Sequence, residues 1–326
     1  MKQDSSNGYA ALRSGVGLVD RSHLGRLLLA GADRRVYLQG LLTNDIEALT
    51  PGTGCYAALL TAQGRMITDM RVVELGDAVL VDLPAALTEQ VRAHFERFVF
   101  GEDVQVRDVT GERAEIGVYG PASVALLQRV LQSSADLASL PLFGCLSLTH
   151  DNRQVIVIRS DEAGVEGFDL VVESAGVDAL TATLRAAGAI DVDAEAAEAV
   201  RIESGHPRFE IDMTTDTIPL EAGIEDLAIS RTKGCYVGQE VIVRVLDRGQ
   251  GRVARRLVGL VLGSHVPRGT RISAAERDIG WITSVAHSPT LGQWIALGYV
   301  QRDYTAPGTH VAVGGTTGSV SELPFV

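Results

Sequence analysis

The sequence predicts an α+β protein made of two mixed units and a small terminal β-barrel. Three observations carry this. The chain has 326 residues, more than one ordinary domain at about 150 residues each and long enough to bury a core without staples. Hydrophobic residues make up 46% and charged residues 21%, which excludes a disordered or fibrous protein. From residue 252 onward the pattern changes to short strands with Gly turns and no helix candidate, as in a small all-β barrel. The three units are expected at 1–103, 104–250 and 251–326.

In the first unit, residues 31–42 (GADRRVYLQGLL) read as a short helix capped by Asp33. Strands are expected at 55–61 and 66–75 around a Gln63-Gly64 turn, and at 78–83, ending at Pro84. Leu87, Val91, Phe95 and Phe98 recur at helical spacing over 85–98. The second unit reads as strand 115–119, helix 122–131, strands 146–148, 154–159 and 168–172, then helix 177–187. That order is most of a ferredoxin-like split βαβ arrangement. An Ala-rich helix over 194–204 stops at Gly205, with Pro207 just beyond. Asp191, Asp193, Glu195 and Glu198 read as its solvated acidic start, favoured by the helix dipole, and not as a metal site.

Lys and Arg total 29 against 41 Asp and Glu, giving a formal charge of −12. Such a chain has no general attraction to phosphate backbones or anionic lipid, so direct nucleic-acid and membrane partners are not expected. The three cysteines, Cys55, Cys145 and Cys235, suggest no disulfide framework. No apolar run approaches the ~20 residues of a membrane span, and a reducing, cytoplasmic location is the expectation.

The most unusual stretch is RTKGCYVGQE at 231–240. Cys235 lies between Gly234 and Gly238, beside Lys233 and Arg231, ahead of a helix expected near residue 237. Nearby cations and helix-terminal N–H groups favour thiolate, so a functional thiol is expected here. Cys55 in GCYAALL and Cys145 in FGCLSL read as inert core residues.

KGCYVGQE at 233–240 resembles the signature of the YgfZ family of folate-binding proteins, which is related to the glycine-cleavage T-protein. Further similarity lies in LQGLLTNDI (38–46), RIESGHPRFEIDM (201–213), IPLEAG (218–223), RGQGRVARRLVGL (248–260) and SPTLGQWIALGYV (288–300). The resemblance implies a T-protein-like arrangement, two α+β domains and a small barrel around a central site for tetrahydrofolate or a one-carbon derivative. It places Glu203 where T-proteins pair a glutamate with the pterin N–H and amine, a bidentate interaction; the competing roles are an exposed helix glutamate or a bridge to Arg201. In GRMITD (64–69), Asp69 is the one acid retained where T-proteins carry two. It would orient an amine or stabilise a developing iminium, unless it pairs with Arg71 or Arg65. Asp82 stands where T-proteins place an asparagine against the cofactor.

Arg244, Arg248 and Arg252 follow the signature and would hold the glutamate tail. Tyr56 and Tyr236 would stack on the ring system, with Lys233 grouped among the cofactor-binding residues. DRSHLG (20–25) resembles a T-protein pattern and places His23 either in the folate channel or in a structural role.

Two functions follow from the resemblance. The first is a monomeric tetrahydrofolate-binding accessory factor in iron–sulfur cluster assembly or repair, acting through Cys235 on client proteins such as radical enzymes that modify tRNA. Dispersed cysteines argue against a stable cluster held by this chain. The alternative is an aminomethyltransferase that moves a one-carbon group to tetrahydrofolate, with Asp69 central and the second acid missing. A folate-binding module without chemistry is the third possibility.

Overall fold

The computed structural model describes residues 3–249 and 251–326. The chain opens with α1 (Gln3–Ser14), β1 (Gly17–Asp20), β2 (Leu24–Ala30) and α2 (Arg34–Gln39), followed by β3 (Gly54–Leu60), β4 (Met66–Glu74), β5 (Ala78–Pro84), α3 (Thr88–Arg97) and β6 (Gln105–Asp108). Next come β7 (Arg113–Tyr119), α4 (Ser123–Val130), β8 (Cys145–His150), β9 (Arg153–Ser160), β10 (Gly167–Glu173), α5 (Val177–Ala186), β11 (Ile190–Asp191) and α6 (Ala194–Glu203). Three short helices, α7 (Pro219–Ala222), α8 (Glu225–Ala228) and α9 (Gln239–Val243), lead to β12 (Arg255–Leu262), β13 (Arg271–Ala274), β14 (Arg277–Ser288), β15 (Gln293–Gln301), β16 (His310–Val313) and β17 (Thr316–Ser321).

These strands form a five-stranded sheet, β3-β4-β5-β2-β6, a six-stranded sheet, β11-β1-β7-β10-β9-β8, and a closed barrel, β12-β15-β14-β13-β16-β17. The α+β class and the terminal barrel are as the sequence predicts. The two open sheets meet across an apolar seam in which Val73 and Leu80 pack against Cys145, Ile156, Ile158 and Val171. Burial there pushes the Cys145 thiol up to about 11, and burial likewise pushes Cys55 up to about 12. Both are core residues.

Helix α1 has no counterpart in the sequence reading, because Ser5, Ser6, Asn7 and Gly8 give its start a polar, turn-like composition. It forms by packing: Tyr9 and Leu12 bury against Ala196, Ala199 and Val200 of α6. β1 then joins the second sheet and β2 the first, so the opening segment stitches the two together. Asp33 does not cap α2 with its side chain; its Oδ2 instead accepts from the Asp103 amide at 2.8 Å. Asp193 does cap α6, accepting from the Ala196 amide at 2.8 Å. Among the described residues no helix is long and apolar enough to cross a membrane.

Candidate functional site

A cavity of about 460 Å³ lies where the first sheet, the loop after β9 and the segment between α6 and α8 converge. Its volume is that of a small-molecule site. The floor is β3, β4 and β5, whose two-residue periodicity puts Tyr56, Asp69 and Asp82 on the cavity side. Phe143, Phe209 and Ile224 supply apolar walls, while His23, His206 and Arg208 supply polar ones.

Asp69 is the most perturbed acid of the floor. The Tyr56 hydroxyl donates to its Oδ2 at 2.5 Å, and Oδ1 has no hydrogen-bond partner among the described residues. Burial pushes its carboxyl up to about 6; the charges of Glu162 and Glu210 add to that, and the Tyr56 bond opposes it. Burial and the neighbouring Asp69 also push the Tyr56 phenol well above its ordinary value. The Tyr56 ring lies nearly parallel to Phe143, with centroids 6.4 Å apart and planes 20° apart. Neither arginine considered from sequence pairs with Asp69. Arg65 donates to the Asp216 carbonyl at 2.6 Å, and Arg71, which lines the cavity on the same face of β4, is engaged by other acids.

Arg71 is 1% exposed and binds three acids: Asp82 Oδ2 through Nη2 at 2.6 Å, Glu115 Oε1 through Nη2 at 2.9 Å, and Asp169 through Nη1. Arg21 adds contacts to Asp169 at 3.3 Å and to Glu162, and Arg26 donates to Glu115 Oε2 at 3.2 Å. Isolated buried charges would be prohibitive, and this pairing is what permits them. Burial alone would raise Asp169, but Arg21 and Arg71 outweigh it and hold its carboxyl below the ordinary range. Asp82 Oδ1 is buried with no hydrogen-bond partner among the described residues, and lies 3.7 Å from Arg26 Nε. Burial, helped by Arg21 and Arg208, pushes His23 down to about 4, so it lines the cavity as a neutral imidazole.

The GCVT N-terminal domain family matches residues 1–233, and the glycine cleavage T-protein C-terminal barrel domain family matches residues 255–326. This chain belongs to the glycine-cleavage T-protein family. Relatives include an aminomethyltransferase of Streptomyces coelicolor, 33% identical over 97% of this chain and 88% of that protein, and one of Rippkaea orientalis, 32% identical over 94% and 84%. A chloroplastic putative transferase of Arabidopsis thaliana is 29% identical over 97% of this chain and 72% of that protein. The solved structure of the glycine cleavage system aminomethyltransferase T from Bartonella henselae shares the fold, with a TM-score of 0.88 at 24% identity, covering 98% of this chain and 89% of that one.

Within this T-protein-family fold, several residues singled out from sequence lie away from the cavity. Glu203 is fully buried but does not line it. Its carboxylate accepts from the Tyr9 hydroxyl at 2.8 Å on each oxygen, from Ser288 and from Arg13. The Glu203 side chain therefore ties α6 to α1 and the barrel, and its acceptors are occupied. Arg201 bridges Glu198 and Asp212 instead.

The octapeptide is a clamp. Lys233 Nζ donates to the carbonyls of Gln39, Leu42 and Asn44 at 2.6, 2.6 and 2.8 Å, satisfying groups at and beyond the end of α2; burial lowers its ammonium to about 8. Tyr236 is buried, with Lys233 Nζ 5.1 Å from its ring centre, and is not available for stacking in the cavity. Gly238 has φ +85°, and a Cβ there would sit 2.5 Å from the Thr61 carbonyl oxygen, beside Gly64. Cys235 is exposed and lines no part of the cavity. The helix expected near residue 237 begins at Gln239 and runs for five residues.

Arg244 and Arg252 are exposed and do not line the cavity; the Arg248 side chain lies outside the described residues. Of the arginines that line the cavity, Arg21, Arg71 and Arg201 are held by close carboxylates, whereas the carboxylate nearest to the Arg208 guanidinium is Glu198 at 3.8 Å. Arg208 stands inside the RIESGHPRFEIDM stretch, where its position after Pro207 was the one available signal. Phe143 had none: it holds a left-handed backbone, φ +62°, in a segment without a motif.

Proposed function

We propose that this T-protein-family chain binds a reduced folate in the central cavity and handles a one-carbon group there, as an aminomethyltransferase-type protein. The observation that carries the reading is Asp69, a carboxyl titrating near pH 6 with one oxygen held by Tyr56 and the other open. Relatives named aminomethyltransferase that align with nearly the whole chain support it.

The residues present suit the group. A reduced pterin offers adjacent N–H and amine donors, and the floor offers an acceptor in Asp69, whose Oδ2 is held by Tyr56. Tyr56 and Phe143 provide aromatic flanks, and Arg208 provides a cation for a carboxylate tail. Tetrahydrofolate supplies the nitrogen that takes up the one-carbon unit. The protein's part is to orient that nitrogen with Asp69, to place negative charge where positive charge develops, and to exclude water with the aromatic walls. Thr68, beside Asp69, is fully buried, and its hydroxyl donates to the Asp69 carbonyl at 3.0 Å. In a single-turnover assay of aminomethyl transfer to tetrahydrofolate, Asp69→Asn should slow transfer by about 10²-fold or more. Absence of transfer by the unaltered protein would remove the reading.

A second reading, the YgfZ-type accessory factor in iron–sulfur cluster assembly or repair, is favoured by one observation. Cys235 is the exposed member of the three free cysteines, in an octapeptide whose other conspicuous side chains are engaged in packing. On this reading a cytoplasmic monomer presents folate and a thiol to client enzymes, among them tRNA-modifying ones. In cells carrying Cys235→Ala, client cluster enzymes should lose activity, and full activity would rule this reading out.

A further inference from the structure

Glu210 stands on the wall of the central cavity with a backbone that suits glycine. It lies between α6 and α7, is exposed, lines the cavity and holds φ +69°. The turn around it fixes that conformation: the Glu210 amide donates to the Met213 carbonyl at 2.8 Å, and the amides of Asp212 and Met213 donate to the Arg208 carbonyl at 2.7 and 3.1 Å. A left-handed backbone is a cost for any residue with a Cβ. Asp151-Asn152 and Ala275-Glu276 meet that cost as two-residue turns of the β8-β9 and β13-β14 hairpins, but Glu210 turns no hairpin. Its side chain gives the fold nothing in return: among the described residues the carboxylate has no ion pair and no hydrogen bond, and Arg268 reaches the Glu210 carbonyl, at 3.0 Å, instead.

The charge around it is not balanced. Every arginine on the lining already meets an acid that lies off it: Arg71 meets Glu115 at 2.9 Å, Arg21 meets Asp169 at 3.3 Å, Arg201 meets Asp212 at 2.7 Å, and Arg208 has Glu198 at 3.8 Å. The lining's own carboxyls, Asp69, Asp82, Asp161, Glu162 and Glu210, must share those same guanidinium groups. The further cations are Arg26, 3.7 Å from Asp82, and Arg268 on the Glu210 backbone. Negative charge is therefore in excess. It is felt at Asp69, whose carboxyl is pushed up by burial first and then by the charges of Glu162 and Glu210. Tetrahydrofolate does not answer this excess, because its pterin is neutral at neutral pH and its tail is anionic.

We infer that Glu210 is the specificity-determining residue for a positively charged amine, the second ligand of this cavity: its carboxylate receives the ammonium group of a small organic amine. The apolar part of that amine lies against Phe209 and Ile224, which line the same space. The inference rests on the one-carbon-transfer reading, in which the amine is the donor, and adds that the donor arrives charged. A neutral donor of the same shape gains nothing from Glu210, and an anionic one is repelled.

The test is calorimetric titration of the full chain at pH 7.5 with benzylammonium as the probe, with its neutral isostere benzyl alcohol and the anion benzoate as comparisons. Benzylammonium should bind at least about tenfold more tightly than either, and added salt should weaken it without changing benzyl alcohol. Glu210→Gln, which keeps the side chain's shape, should weaken benzylammonium by about three- to tenfold and leave benzyl alcohol unchanged. Glu210→Gly should show the same loss with a thermal midpoint no lower than that of the unaltered protein, since glycine accepts the left-handed turn. Equal binding of benzylammonium and benzyl alcohol, benzylammonium affinity unchanged in both variants, or a lowered midpoint for Glu210→Gly would overturn the assignment. A parallel titration with tetrahydrofolate separates this from the folate reading: Glu210-dependent benzylammonium binding without tetrahydrofolate binding removes the folate reading and supports the amine subsite, and the converse removes the amine subsite alone.

Discussion

The cavity floor and the octapeptide loop are opposites in how they use their residues. The loop holds the most recognisable run in the sequence, and most of it is structural. Lys233 closes the end of α2, Tyr236 is packed beneath that ammonium, and Gly238 lets the loop touch the turn before β4. The floor has no such run. Its chemistry comes from Tyr56, Asp69 and Asp82 on three strands, supported by partners as distant as Glu115 and Asp169. A distinctive motif can therefore mark a family by the way it fastens two parts of the fold, while the groups able to act on a ligand lie elsewhere.

Four substitutions sharpen that contrast. The largest effect belongs to the floor itself: Arg71→Ala leaves Asp82, Glu115 and Asp169 short of positive charge in a buried setting. It should cost about 3–5 kcal/mol in thermal or denaturant unfolding. Next, Gly238→Ala combines a left-handed backbone with a Cβ against the Thr61 carbonyl and should cost about 1–3 kcal/mol. A loss as small as an exposed surface change would break the clamp account.

Asp69→Asn comes third and has a sign that depends on pH. The folded-state carboxyl titrates near 6, above its unfolded value, so the folded protein loses stability as pH rises from about 4 to about 6. The asparagine variant avoids that loss and should be more stable by about 1–2 kcal/mol above pH 6, with the difference vanishing below about pH 4. A pH-independent difference would mean that Asp69 is not held in a raised state. The smallest effect is Cys235→Ser, an exposed position, which should change stability by less than about 0.5 kcal/mol.

Much of the fold is legible in the sequence, and the reason is local. β5 opens on the apolar run Ala78-Val79-Leu80-Val81, and Val91 and Phe95 mark the buried side of α3. Helix α1 is not legible because its stability comes from α6, almost 200 residues away. The site divides in the same way. Asp69, Tyr56 and Asp82 can be found because a motif or a strand end marks them. Glu203 cannot be placed from sequence: nothing local says that Tyr9, Arg13 and Ser288 converge on it. Arg71 is likewise read as a strand-neighbour partner, whereas its true partners are assembled by the packing of two sheets.

The most direct test of the central claim is titration with tetrahydrofolate at pH 7.5 and pH 5.5, for the unaltered protein and for Asp69→Asn. The account predicts saturable binding at pH 7.5, roughly fourfold weaker at pH 5.5 as a carboxyl near pH 6 takes up its proton. It also predicts that Asp69→Asn binds about tenfold or more weakly at pH 7.5 and is insensitive to that pH change. Equal affinity of the two proteins at both pH values would contradict it.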